Sequence, residues 1–224
     1  MSYAPIILFT YCRPRHTKQA VEALLDNSEA SESDLIIYSD GPKNEKTVDG
    51  VNATREYIKT ISGFKSIQII ERPKNFGLAN SIIDGVTSVI NRYGKAVIVE
   101  DDLIVSHFFL KYINEALELY KETPEVISIH GYMYPVEDVL PESFFIKTAD
   151  CWGWATWKRG WDLFNADSKA LLQEIETKKL CRKFDFNDCY PYVDMLKAQI
   201  NGKVDSWAIR WYASALVNNK LTLY

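Results

Sequence analysis

The chain has 224 residues, 47% of them hydrophobic and 25% charged, with a formal net charge of −4 at pH 7. That length and composition suit one large α/β domain, or two small ones, with a real core. The slight acidic balance and the lack of any basic block argue against a nucleic-acid-binding module, and no apolar run reaches membrane-spanning length.

Aromatics make up 13% of the chain, with six Trp and thirteen Tyr. Such an excess serves a core, but it also suits surfaces that stack on sugar rings or bases. Cys12, Cys151, Cys181 and Cys189 form no C-x-x-C pair and have no His cluster beside them, so a zinc site is not expected. Isolated cysteines fit a reducing compartment. The N-terminus lacks the basic region, apolar segment and cleavage site of a signal peptide. The expected location is cytoplasmic, with peripheral contact at the inner face of the membrane left open.

Pro5 to Tyr11 contains Ile6-Ile7-Leu8-Phe9 and reads as a buried strand, followed by a turn at Cys12-Arg13-Pro14-Arg15. A helix is predicted from Thr17 to Asp26. Asp34 to Ser39 reads as a second strand that ends in Ser39-Asp40-Gly41-Pro42. A helix over Thr47 to Ile61, a strand over Ser66 to Glu71 and a loop over Pro73 to Gly77 follow. Leu78 to Tyr93 is a helix with Ile82, Ile83, Val86, Val89 and Ile90 on its apolar face, ended by Gly94. Ala96-Val97-Ile98-Val99 then reads as a strand buried on both faces, and it runs straight into Glu100-Asp101-Asp102-Leu103.

This alternation of strand and helix predicts a parallel sheet with helices on its faces. Arg13, Asp40, Asn75 and the acidic triplet follow successive strands, so they would lie along one rim of that sheet, where open α/β sheets bind ligands.

The second half is mixed. Ser106 to Lys121 is predicted as a helix with Ser106 as N-cap. Val126 to His130 and Phe144 to Lys147 read as strands. Asp150 to Trp161 holds four tryptophans. Ser168 to Thr177, Tyr192 to Asn201 and Trp207 to Val217 read as helices, and Leu221 to Tyr224 as the opening of a strand. The expectation is one domain over 1–224, with a nucleotide-binding half (1–105) and a donor and acceptor half (106–224), truncated at its C-terminus.

Three adjacent carboxylates cannot continue a buried strand unless each is solvated, paired or metal-bound. The triplet therefore fits either a Mg²⁺ or Mn²⁺ site shared with a diphosphate or a solvated acidic turn. In the metal reading, Asp102 is the direct ligand, Asp101 lies near the ribose or metal, and Glu100 lies near the transferred group. P-loop, dinucleotide-fingerprint and nucleophile-elbow motifs are absent. Asp40 suits either a base or ribose contact or an Asx turn, and Arg13 either a phosphate contact or the surface. Trp152-Gly153-Trp154-Ala155-Thr156-Trp157 suits a sugar platform or a core strand. Asp205 suits a general base, but its spacing before Trp207 favours a helix cap.

Taken in order, Ile6–Pro14, Ser39-Asp40-Gly41, Asn75-Phe76-Gly77-Leu78, Glu100-Asp101-Asp102-Leu103 and Trp152-Gly153-Trp154 resemble the GT-A-fold glycosyltransferases. The resemblance is to the family-2 type of bacterial surface-polysaccharide enzyme. The acidic motif is also similar to that of eukaryotic N-acetylglucosaminyltransferase I. The resemblance implies a mostly parallel sheet flanked by helices, and metal-dependent, inverting transfer of a sugar from a nucleoside-diphosphate donor, UDP-linked by expectation. The acceptor hydroxyl would belong to a glycan or lipid-linked saccharide.

By the same resemblance, Thr10, Cys12 and Arg13 contact the nucleotide, Asp40 contacts the base, and Asn75 and Leu78 line the base and ribose pocket. Asp101 approaches the ribose, Asp102 binds Mn²⁺ or Mg²⁺, and Glu100, Gly153 and Trp154 face the donor sugar. Asp205 becomes the base that deprotonates the acceptor. Two other readings remain: a sugar-1-phosphate nucleotidyltransferase, disfavoured by the lack of glycine after the first strand, and a non-catalytic carbohydrate-binding protein.

Overall fold

A computed structural model describes residues 3–224. The first half alternates as expected: β1 (Ile6–Thr10), α1 (Pro14–Leu25), β2 (Asp34–Ser39), α2 (Glu45–Ile58), β3 (Ser66–Glu71), α3 (Leu78–Tyr93) and β4 (Lys95–Glu100). The second half supplies α4 (Phe109–Leu119), β5 (Val126–His130), β6 (Phe145–Ile146), β7 (Trp154–Trp157), α5 (Lys158–Trp161), α6 (Ser168–Thr177), α7 (Cys181–Phe184), α8 (Tyr192–Ile200), α9 (Trp207–Val217) and β8 (Leu221–Leu223).

The eight strands of the described residues form one sheet in the order β3-β2-β1-β4-β7-β5-β8-β6. Strands β3, β2, β1 and β4 are mutually parallel. Strand β7 then enters antiparallel to both β4 and β5. Beyond it, β5 and β8 pair in parallel, and β6 closes the edge antiparallel to β8. The protein is an α/β fold with a mostly parallel sheet flanked by helices, and its mixed part begins at β7.

The side-chain alternation of the strands sorts the core into two layers. Ile6, Leu8, Leu35, Ile37, Val97 and Val99 face α1, α2 and α4. Ile7, Phe9, Ile36, Tyr38, Ala96 and Ile98 face α3, α5 and α9. A third cluster joins α6, α7, α8 and the outer face of α9 around the fully buried Phe184.

Two predicted helix starts are corrected. Helix α1 begins at Pro14, three residues earlier than predicted, with proline in its first turn, because the fixed φ of proline suits that turn and its missing N–H has no partner to lose there. Ser106 is not a side-chain cap for α4: Phe108 takes the cap position, and Ser106 contributes its carbonyl, which accepts from the Phe109 backbone N–H and from Asn27 Nδ2.

His130, at the end of β5, is 2% exposed. Its Nε2 accepts from the Trp152 backbone N–H at 3.3 Å, and Tyr224 stacks edge-on against the ring. Burial lowers its affinity for a proton, against the pull of Asp150 and of the Tyr132 backbone. The unfolded chain therefore takes up this proton first as pH falls, and stability is lost below the ordinary histidine pKa of about 6.5. Denaturant unfolding at pH 7 and pH 5.5 is expected to show a larger loss in the wild type than in His130→Gln. Equal losses would remove His130 as the sensitive group.

Candidate active-site cleft

The C-terminal ends of β1, β2 and β4 open into one cleft of about 490 Å³. Thr10, Cys12, Arg13, Asp40, Asn75, Leu78, Glu100, Asp101 and Asp102 all border it. The parallel register of β1 against β2 and β4 puts these strand ends side by side, although Arg13 and Asp101 are 88 residues apart.

Arg13 ties the acidic triplet down. Its Nη2 meets Asp101 Oδ1 at 2.5 Å and its Nη1 meets Asp102 Oδ2 at 3.1 Å. Asp101 is 3% exposed. Burial raises its pKa even though the hydrogen bond and charge of Arg13 pull the other way. Glu100 is pushed up to about 7, by burial first and then by the neighbouring charges of Asp102 and Asp101. Asp102 is the most solvent-open of the Arg13-paired carboxylates, its side chain 44% exposed.

Asp40 does not present a free carboxylate to a ligand. Its Oδ1 accepts from the Gly41 and Phe76 backbone N–H groups, at 2.9 and 2.8 Å. Its Oδ2 accepts from Gly77 N–H and Asn75 Nδ2, both at 3.0 Å. A carboxylate has about four acceptor positions, and all are taken. Asp40 is therefore a positioning residue that clamps the Asn75–Gly77 loop onto the end of β2. Asn75 lies beside it at the cleft, its Nδ2 held by Asp40 and Gly41 at 3.0 and 2.9 Å. Arg72 supports the loop from behind. It is buried, stacks on Phe76 at 4.0 Å and pairs with Asp84.

Gly153 and Trp154 are not brought to the cleft. Trp154 is fully buried, with Trp161, Trp207 and Trp211 at ring distances of 5.8, 5.4 and 5.7 Å. It faces the core layer because β7 is an inner strand, and an indole of that size cannot also line an open cleft. Gly153 (φ +65°) ties β7 to β5: its carbonyl accepts from Gly131 N–H at 2.7 Å. The exposed ring of the motif is Trp152.

Asp205 lies outside the cleft, and it is not the cap of α9. Ser206 takes that position, its Oγ accepting from Ile209 N–H at 3.3 Å. Asp205 instead pairs with Arg210 at 3.3 Å, with its side chain 63% exposed.

Lys43 and Ser81 border the cleft and were not singled out from sequence; Tyr11 borders it too, within the predicted Thr10–Cys12 stretch. Lys43 follows Gly41-Pro42 after the end of β2 and brings a second cation to the cleft beside Arg13. The Ser81 Oγ is buried, with no partner among the described residues. Its place on the first turns of α3 gave no signal before the cleft was known.

Among the described residues, no three His, Cys, Asp or Glu side chains converge on a point that would hold a metal ion unaided. Asp101 and Asp102 supply hard oxygen donors at the cleft wall. Mg²⁺ and similar ions typically use one or two carboxylates and complete their shell with water and substrate phosphate. The residues thus fit a metal that arrives with a diphosphate. Among the described residues, no helix is long and apolar enough to cross a membrane.

No family model matches the chain, and no curated protein matches it. Among solved structures it is similar to the mannosyltransferase PcManGT from Pyrobaculum calidifontis, solved in complex with GDP-Man and Mn²⁺. That match has 12% identity over 57% of this chain and 35% of the other, with a TM-score of 0.41. It is also similar to a structure described as a mycobacterial protein, at 12% identity over 56% of this chain and 40% of that one, with a TM-score of 0.34. The matched part spans less than half the length of either structure.

Proposed function

We propose that the protein is a GT-A-type glycosyltransferase that moves a sugar from a nucleoside-diphosphate donor to an acceptor hydroxyl, with inversion and with a divalent metal. The observation that carries this reading is the cleft at the parallel strand ends, which gathers Arg13, Lys43, Asn75, Ser81 and the acidic triplet. A ligand with a base, a ribose and a diphosphate matches that mix of acceptors, cations and carboxylates. The setting implied by the sequence resemblance is surface-polysaccharide synthesis with a UDP-linked donor.

In this reading Asn75, Ser81 and Leu78 receive the base and ribose. The backbone of Thr10 to Cys12 follows the nucleotide. Asp102, the open member of the pair, would hold Mn²⁺ or Mg²⁺, which when bound supplies positive charge to the departing diphosphate, and Asp101, tied down by Arg13, approaches the ribose. Arg13 and Lys43 add to that charge from the protein side. Glu100 accepts hydrogen bonds from donor-sugar hydroxyls. Asp205 takes the proton of the attacking hydroxyl, so one displacement completes the transfer.

Calorimetric titration of UDP and GDP, each with and without Mn²⁺, tests the reading. Binding that requires the metal and prefers one base is the expected result. Asp102→Asn is expected to abolish the metal-dependent part of that binding. Unchanged affinity in this variant would sink the metal assignment, and a folded wild type that binds neither nucleotide would sink the transferase reading.

A further inference from the structure

A second cavity, of about 650 Å³, opens between the β6–β7 connection, the 186–195 segment and the start of α9. That volume falls within the usual range for small-molecule sites, about 300–1,000 Å³. Aromatic rings outnumber aliphatic chains in its wall, and all but one of them carry a polar group. Tyr134, Trp152 and Tyr190 are partly exposed at its rim, at 44%, 43% and 52%. Large rings left this open to water along one cavity need an occupant more than a scattered surface aromatic does.

We infer that this cavity is the acceptor site and that its ligand is a saccharide, with one pyranose face against the Trp152 ring and a sugar hydroxyl donating to Asp150. The acceptor role rests on the transferase reading above. A pyranose offers a flat C–H face ringed by hydroxyls, and an amphipathic aromatic wall with one carboxylate complements both. Tyr132 and Tyr134 pack against Trp152 at ring distances of 5.0 and 5.6 Å and hold it upright. Asp150 Oδ2 accepts from the Tyr134 hydroxyl at 3.0 Å and Oδ1 from the Cys151 backbone at 2.8 Å. With the Cys151 side chain also hydrogen-bonded to it, the carboxylate is fixed and keeps about one acceptor position open.

The cavity lies where an acceptor must. Cys151, in its wall, sits within the electrostatic reach of Glu100, which borders the donor cleft. Ser206 also lines it, directly beside Asp205 in the chain. The cavity therefore adjoins the carboxylate assigned to the donor sugar and the residue next to the one assigned to the acceptor proton.

Saturation-transfer NMR with the methyl glycosides of glucose, galactose, mannose and N-acetylglucosamine, with and without UDP or GDP and Mn²⁺, tests this. At least one glycoside is expected to bind, and Trp152→Ala to weaken it about tenfold without moving the nucleotide titration. Tyr190→Ala, a second exposed position, is expected to weaken the same glycoside. Nucleotide binding with no glycoside signal overturns the saccharide assignment and leaves the transferase reading standing, and so does binding of 1-octanol in place of any glycoside. Trp152-dependent glycoside binding with no nucleotide binding upholds the saccharide site and overturns its acceptor role.

Discussion

Asp40→Ala is expected to destabilise the protein by on the order of 3 kcal/mol or more, and to lower nucleotide affinity in parallel. The Asp40 side chain is 7% exposed and accepts four hydrogen bonds. Its removal strands the N–H groups of Gly41, Phe76 and Gly77 and leaves the Asn75 amide with the Gly41 carbonyl alone. An unpaired buried donor costs about 1–3 kcal/mol, and less at the partly buried Phe76 and Gly77, where water and local movement recover part of it. Gly41 also packs within 2.5 Å of Lys74 backbone, measured from where a Cβ would stand, so the two loops are in close contact and cannot separate without disturbing the cleft. Asp40→Asn is the informative companion: its amide nitrogen would have to face donors, and it should recover only part of the loss. Denaturant midpoints and UDP or GDP titration read both effects. Wild-type stability in Asp40→Ala would show that the carboxylate does not anchor the loop.

Asp205→Asn is expected to cut sugar transfer by about 10²–10⁴-fold, the usual contribution of a positioned general base, while leaving nucleotide affinity unchanged. The substitution keeps an oxygen for Arg210, which is buried but also donates to the Ser206 carbonyl at 3.1 Å, while Asp205 itself faces solvent, so the expected loss of stability is about 1 kcal/mol, read by denaturant unfolding. The readout is release of nucleoside diphosphate from a UDP- or GDP-sugar in the presence of a saccharide acceptor. Full turnover would assign Asp205 to the Arg210 pair alone. The cap explanation is already closed, because Ser206 caps α9.

The strands were legible because their signal is local. Val and Ile runs bounded by glycine or charge marked β1, β2 and β4, and the Asp34–Ser39 and Ser66–Glu71 limits agree with the predicted ones. Helix α3 was equally plain, with its apolar period and the left-handed Gly94 at its end. The short α7 lacks such a pattern and was not seen. The tryptophan motif carried two roles that spacing cannot separate. Trp152 and Trp154 lie on opposite sides of Gly153, one at a cavity rim and one in the core, and the pairing of β7 between β4 and β5 decides which.

Residue pattern alone established an α/β chain with carboxylates and an arginine at parallel strand ends, since periodicity and the exclusion of charge from buried strands act over a few residues. Which of those groups remain available to a ligand was decided by contacts between distant segments. Asp40 is spent on a loop some 35 residues away, Arg13 is drawn to Asp101 and Asp102, and Trp154 is closed into a ring cluster with α9. Hydrogen-bond saturation and burial are properties of neighbours in space, and chain order does not contain them.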